Sequence, residues 1–176
     1  ACTCVTSEAG ITECTFTEDR PSQFPLLEAV GRGALELQVP TDMPITLAFS
    51  GADGTATFDM TGTELELISI DLNNGDAVIN VPEYEPQSPN APEAVGQLIV
   101  NNGDLTMLVP PSANVRLRFD RRGGGIEPVF APTYIEQRDG VDGVLRRDDE
   151  DGQFDLIFDA IVPSGLIRLE VRDGFE

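Results

Sequence analysis

The chain has 176 residues, of which 31 are acidic and 11 basic, and every basic residue is an arginine. The formal net charge of −20 excludes general attraction to nucleic acid or anionic lipid, because both depend on cations that meet phosphates. Histidine is absent, which excludes an imidazole base, nucleophile partner or metal ligand. The length suits one domain with a short extension, and no stretch nears the ~20 apolar residues of a membrane-spanning helix.

All three cysteines lie at the N-terminal end of the sequence. We predict a disulfide between Cys4 and Cys14, which would remove about 2–3 kcal/mol of denatured-state entropy. Ala1-Cys2 has the form of a bacterial lipoprotein cleavage site, and lipidation of Cys2 would leave the other two cysteines free to pair. The alternative is a disulfide with one spare thiol, while a cysteine-only metal site lacks a fourth sulfur ligand. Residues 1–32 are therefore predicted to be an N-terminal extension with cysteines.

Residues 33–176 are predicted to be a β-repeat domain, because one strand-turn unit recurs there. The copies are Gly33–Pro40, Gly75–Pro82, Gly103–Pro110 and Gly165–Val171, the last without the proline. Asn-Gly or Gly-Asp supplies a corner with positive φ, alternate apolar residues point towards a core, and proline ends the strand because it cannot donate to a ladder. One such unit cannot bury its apolar face alone, so the copies must stack or pair.

Further alternating runs lie between the copies. Residues 65–72, 115–119 and 154–159 each predict a strand. Residues 82–95 are rich in proline and predict a protruding loop, and the stretch from Gly123 to Asp151 gives no clear strands. Because no convincing helix is present and 17 glycines and 13 prolines are spread throughout, we predict an all-β chain.

The repeated pattern of an Asn-Gly-Asp corner, a strand and Val-Pro resembles the adhesin-like, or toast-rack, domains of the bacterial cell envelope. It is similar to the C-terminal domain of the LiaF-type cell-wall antibiotic-response proteins, over roughly residues 33–171. The resemblance implies a single-stranded right-handed β-solenoid that faces the outside of the membrane. It also implies contacts with other proteins and brings no catalytic residues to transfer. The chain lacks the membrane helices of LiaF-type proteins.

An acidic turn at residues 148–155 resembles a calcium loop, but the EF-hand register fails. In the register that fits its glycine, Arg147 and Phe158 take the first and twelfth ligand positions, where oxygen ligands are required. A looser oxygen-ligand metal site is one interpretation, and a solvated acidic turn is the other. The site would use Asp148, Asp149 and Asp151. No other cofactor is expected.

Two further groups are candidates for binding. A basic cluster could grip an anionic polymer or headgroup, or its charges could be neutralised by neighbouring carboxylates on the solvent face. It consists of Arg116, Arg118, Arg121 and Arg122. Aromatic platforms for a glycan are scarce, and the candidates are Tyr84 and Tyr134.

The leading hypothesis is a non-catalytic, extracytoplasmic module of the cell envelope, secreted or anchored through Cys2. It would present a rigid β surface to an envelope protein or a cell-surface polymer. A calcium- or glycan-binding adhesin is the second hypothesis, while a hydrolase rests only on the abundance of acids, so no enzyme is predicted. Membrane contact is expected only through the lipid. Since the ends of a solenoid are unpaired strand edges, a homodimer through these ends is a further interpretation.

Overall fold

The structure, a computed structural model, describes residues 2–8, 12–16, 44–83, 94–111, 113–120, 122, 125–126, 134–139, 142–147 and 156–172. The chain divides into two compact units, residues 1–38 and 39–176. All regular secondary structure in the described ranges is β-strand, which confirms the all-β prediction. Within those ranges, no helix is long and apolar enough to cross a membrane.

The first unit contains an antiparallel hairpin of β1 (Cys2–Thr6) and β2 (Thr12–Phe16). Cys4 and Cys14 lie directly opposite one another in its register and are joined by a disulfide, as predicted. The bond ties the two strands together at their centre. A two-stranded hairpin alone is marginally stable in water, so the cross-link adds stability to this pair of strands.

In its described residues, the second unit contains twelve strands in two sheets. The seven-stranded sheet has the order β11-β12-β9-β13-β7-β5-β3, and the five-stranded sheet has the order β10-β14-β8-β6-β4. The strands are β3 (Pro44–Asp53), β4 (Ala56–Asp59), β5 (Glu64–Asn74), β6 (Ala77–Asn80), β7 (Ala94–Asn102), β8 (Leu105–Val109), β9 (Val115–Asp120), β10 (Gly125–Ile126), β11 (Tyr134–Asp139), β12 (Asp142–Arg147), β13 (Leu156–Ile161) and β14 (Leu166–Val171).

The predicted single-stranded right-handed β-solenoid is wrong. From β3 to β10, successive strands alternate between the two sheets, so parallel neighbours come from different parts of the chain. The order then departs from the chain: β13 lies between β7 and β9 and is parallel to both. In addition, β11 and β12 extend the seven-stranded sheet by antiparallel pairing, which makes that sheet mixed. The repeat copies that form β6, β8 and β14 are neighbours in the five-stranded sheet, whereas the motif does not predict the neighbours of the other strands, whose pairing partners are distant in sequence.

The core lies between the sheets, as the alternation of buried and outward residues shows. Outward positions alternate with fully buried ones along both β8 and β13. The largest fully buried side chains are Phe158, Ile68, Ile70, Leu72, Ile79, Leu98, Leu105, Met107, Leu117, Leu145, Leu156 and Ile167. The predicted strands at residues 65–72, 115–119 and 154–159 correspond to β5, β9 and β13.

A β-bulge interrupts the alternation at the start of β5. The register with β3 shifts between Ile45, which pairs with Leu65, and Thr46, which pairs with Leu67. The extra residue is Glu66, and the alternation restarts after it. As a result Leu67 points outward with 41% of its surface exposed, while Ile68 is fully buried.

Candidate functional site: the outer face of the seven-stranded sheet

Parallel pairing without stagger arranges the outward residues of the seven-stranded sheet in rows. Asp159 of β13 lies beside Gln97 of β7 on one side and Arg118 of β9 on the other. Two residues further along, Ile161 lies between Ile99 and Asp120. Two residues before, Ile157 lies beside Arg116. We call this surface the outer face and define it by Leu67, Gln97, Ile99, Arg116, Arg118, Ile157, Asp159 and Ile161.

Half of the outer face is aliphatic. Ile157 and Ile161 point away from the core because they alternate with buried residues of β13, and both are only half-buried. Ile99 is likewise half-buried on the neighbouring strand, and Leu67 is exposed through the bulge in β5. Outward aliphatic residues on neighbouring strands offer apolar surface that another macromolecule could bury.

A bidentate ion pair crosses the middle of the outer face. The Nε atom of Arg118 donates to Oδ1 of Asp159, and its Nη2 atom donates to Oδ2 at 2.8 Å. The two side chains are 49% and 44% exposed. A solvent-exposed pair of this kind contributes only about 0–1 kcal/mol to folding, so its main effect is to hold both groups in a fixed, mutually neutral arrangement.

The predicted arginine cluster is only partly assembled on this face. Arg116 and Arg118 lie two residues apart on the outward side of β9, and Arg116 is half-buried. Arg122 follows the strand and donates from Nε to Asp120 Oδ2 at 3.0 Å. Carboxylates thus lie against both Arg118 and Arg122, as the neutralisation alternative expects. Arg121 lies outside the described residues.

The other predicted sites are not described by the structure. Asp148, Asp149, Asp151 and Tyr84 lie outside the described residues, and Tyr134 is the first residue of β11. Within the part of the chain that is described, no group of three or more acidic or cysteine side chains could hold a metal ion. The metal and glycan assignments therefore stay predictions.

Four glycine corners stack upon one another at the ends of β5 and β7, and three of them, at Gly75, Gly103 and Gly165, begin copies of the repeat. Gly54, Gly75, Gly103 and Gly165 have φ angles of 121°, 121°, 148° and 141°. The N–H of Gly75 donates to the carbonyl of Asn102 at 2.8 Å, and the corresponding bonds of Gly54 and Gly103 measure 2.9 Å. We call this stack the corner ladder. It leaves no room for a side chain at Gly75, Gly103 or Gly165; a Cβ at Gly103, for example, would overlap the carbonyl group of Gly75.

Side-chain amides extend the corner ladder along its exposed flank. Asn102 donates from Nδ2 to Oδ1 of Asn74 at 3.1 Å, and Asn74 donates from Nδ2 to Oδ1 of Asp53 at 2.8 Å. A parallel bond joins Asn101 to Asn73 at 3.3 Å. The repeated asparagines therefore link consecutive strands and fix their register.

Asp104 connects the corner ladder to β14. Its Oδ1 atom accepts from the backbone N–H of Leu166 at 2.9 Å, and its Oδ2 atom accepts from Nη1 of Arg168 at 2.7 Å. Its own backbone N–H donates to Oδ1 of Asp76 at 2.9 Å. The aspartate of the repeat motif is thus an acceptor for the next strand in the sheet, which ties β14 to β8.

A second polar corner lies beyond β4. Hydrogen bonds from the Thr61 side chain and backbone N–H lower the pKa of Asp59 below its usual 3.8, against a small opposing effect of burial. The side chain of Asn80 and the charge of Arg172 lower the pKa further. Arg172 also donates to Thr61 Oγ1 at 3.0 Å and to the carbonyl of Val81 at 2.8 Å, so it links several consecutive turns.

No family model and no curated protein matches the chain. Among solved structures, the chain is similar to the crystal structure of a "putative cell adhesion protein" from Clostridium sporogenes ATCC 15579, with a TM-score of 0.64. The sequences are 11% identical, and the match covers 98% of this chain and 76% of that chain. At this identity the likeness shows a shared all-β fold.

Proposed function

We propose that the chain is a non-catalytic interaction module of the cell envelope that binds a protein partner through the outer face. The observation that carries the proposal is the arrangement of that face, in which aliphatic rows flank the ion pair of Arg118 with Asp159. The centre of a protein interface is depleted in unpaired charge, and here Arg118 and Asp159 neutralise one another in the middle of the face. The corner ladder and the two-sheet core would hold the surface rigid, which limits the entropy lost on binding.

A protein partner suits the outer face better than a glycan. Sugar rings are commonly held by stacking on aromatic side chains, and none of the eight residues that define the face is aromatic. Ile99, Ile157 and Ile161 instead offer aliphatic surface, whose burial contributes about 25 cal/mol per Å². A polar polymer has little apolar surface to bury, so it should bind this aliphatic surface more weakly than a protein does.

Charge further defines the partner. The row of Ile99 and Ile161 has the carboxylate of Asp71 beside Ile99, while Asp120 beside Ile161 is paired with Arg122. Together with the net charge of −20, this favours a partner with an apolar centre and a cationic rim. Such a partner would also associate faster at low ionic strength.

An extracytoplasmic location is supported by the Cys4–Cys14 disulfide, since disulfides persist in oxidising compartments. The adhesion-protein description of the structural neighbour is in keeping with it. Lipidation of Cys2 would place the module at a membrane surface and remains part of the proposal. The relationship to LiaF-type proteins also stays a prediction, as does a homodimer.

The experiment is a capture from envelope extract on the immobilised chain, with bound material analysed for protein and glycan. The test variant is Ile161→Lys, and the matched control is Val78→Lys, a half-buried outward aliphatic residue on the five-stranded sheet. A central interface residue is worth more than about 1.4 kcal/mol, so Ile161→Lys should reduce capture of a specific protein at least tenfold, whereas Val78→Lys should retain it. Circular dichroism spectra must show that both variants fold.

Equal capture by the wild type and both variants would refute the role of the outer face. Recovery of glycan alone, reduced by Arg118→Ala, would support the glycan-binding alternative instead. A melting temperature that rises with millimolar calcium and falls with EDTA would support a calcium-binding adhesin.

A further inference from the structure

The corner ladder contains the sequences Asn74-Gly75 and Asn102-Gly103. We propose that both are latent sites of spontaneous deamidation, which the folded corner keeps unreactive. In this reaction the backbone nitrogen of the glycine loses its proton and attacks Cγ of the asparagine, the Cγ–Nδ2 bond breaks, and ammonia leaves. Water then opens the cyclic imide to aspartate or isoaspartate. The net change is loss of ammonia and uptake of water, so no other reagent is needed.

Asn-Gly is the dipeptide most open to this attack, because glycine carries no side chain to shield its nitrogen. Shielding from solvent does not protect the asparagines here, since both Asn74 and Asn102 are exposed. Protection must therefore come from the hydrogen bonds that hold the reacting groups.

The attacking nitrogens are engaged by the next strand. The N–H of Gly75 donates to the carbonyl of Asn102 at 2.8 Å, and the N–H of Gly103 donates to the carbonyl of Ser164 at 2.9 Å. Each nitrogen must give up this proton before it can attack. The reaction therefore requires the local bond between strands to open first.

The side-chain amides are engaged as well. Asn74 donates from Nδ2 to Asp53 Oδ1 at 2.8 Å and to the carbonyl of Ala52 at 3.3 Å, and its Oδ1 accepts from Asn102. Asn102 also donates to the carbonyl of Asn73 at 3.3 Å. Turning either amide towards the glycine nitrogen would break these bonds. The hydrogen bonds therefore keep both the side-chain amide and the glycine nitrogen out of the geometry that the reaction needs.

Deamidation would damage the corner ladder, whose hydrogen bonds otherwise prevent the reaction. Aspartate at position 74 would lose the donor to Asp53 and place two carboxylates at a hydrogen-bonding distance. Isoaspartate would add a methylene group to the backbone between β5 and β6 and shift their register. Deamidation at one corner should therefore loosen the next, so that isoaspartate content records how often the corners have opened.

The test compares deamidation of the intact chain in mildly alkaline buffer with and without a denaturing concentration of urea. Peptide mapping by mass spectrometry measures aspartate and isoaspartate at each asparagine. We expect Asn74 and Asn102 to react at least about tenfold more slowly in the folded chain, whereas Asn73 and Asn101, each followed by asparagine, react slowly in both. Equal rates at Asn74 and Asn102 in the two conditions would overturn the proposal.

Asp53→Ala separates the side-chain bonds from the backbone bonds. The variant removes the closer of the two acceptors of the Asn74 amide and leaves the bonds of Asn102 in place, so Asn102 serves as the control within the same molecule. In the initial rates, before deamidation at Asn74 loosens the next corner, we expect faster deamidation at Asn74 alone. An unchanged rate at Asn74, or equal acceleration at both sites, would refute the contribution of the amide bonds.

Discussion

The stacking of the corner ladder predicts that two glycines with similar backbone conformations differ in their tolerance of alanine. Gly54 and Gly103 both have positive φ, at 121° and 148°. A Cβ at Gly54 would meet open space, whereas a Cβ at Gly103 would overlap the carbonyl of Gly75. Gly54→Ala should therefore cost only the backbone strain, about 1–3 kcal/mol. Gly103→Ala should add about 1–3 kcal/mol for the overlap, because the contacted atoms belong to backbone that other strands hold.

Urea denaturation followed by circular dichroism measures both losses. The difference between the variants corresponds to a melting-temperature difference of about 2–4 °C for each kcal/mol in a domain of this size. Equal destabilisation by the two substitutions would show that the corners are not stacked tightly enough to exclude a methyl group. In that case the φ angle alone would explain the glycines, and the register-fixing role of the ladder would be refuted.

Three further predictions concern the core and its polar corners. Phe158→Ala should lose about 3–5 kcal/mol of stability in urea titration. A Cβ at Gly96 would overlap the Phe158 ring, so Gly96→Ala should cost much less in the Phe158→Ala background than alone. Asp104→Ala should cost about 1–3 kcal/mol of stability, because it leaves the half-buried backbone N–H of Leu166 without its acceptor. Arg168→Ala should cost less, because the ion pair of Arg168 with Asp104 is partly exposed. Equal costs would contradict this ranking. Since the pKa of Asp59 is lowered, its carboxylate stabilises the fold above pH 3.8, and this contribution is lost as the pH falls below that value. Asp59→Asn should therefore flatten the acid limb of a plot of urea midpoint against pH.

Local chemistry explains the part of the fold that the sequence predicts correctly. The copies at 75–82, 103–110 and 165–171 form β6, β8 and β14, and in each the glycine has positive φ. Alternation identified β9 as well, including its outward Arg116 and Arg118. The copy at 33–40 lies outside the described residues. These successes share one cause, because a glycine corner and a period of two are read from adjacent residues.

The parts that were missed depend on contacts between distant residues. Tyr134–Asp139 and Asp142–Arg147 form strands where the residue pattern predicts none clearly, because β12 is specified by pairing with β9. Leu67 was predicted to follow a simple alternation, and the bulge opposite β3 turned it outward. The rows of isoleucine on the outer face were missed for the same reason, since they exist only once β13 lies between β7 and β9.

The positions of β13 and β14 in their two sheets link the proposed function to the fold. β13 supplies Ile157, Asp159 and Ile161, which are the centre of the outer face, and the turn after it supplies Ser164 and Gly165 to the corner ladder. β14 is then tied to β8 through Asp104. The outer face is therefore not a linear motif that a fragment could present: its central row requires strands from three separate parts of the chain. A partner that recognises this surface must recognise the folded module, and loss of the ladder should weaken binding without any change to a residue that the partner touches.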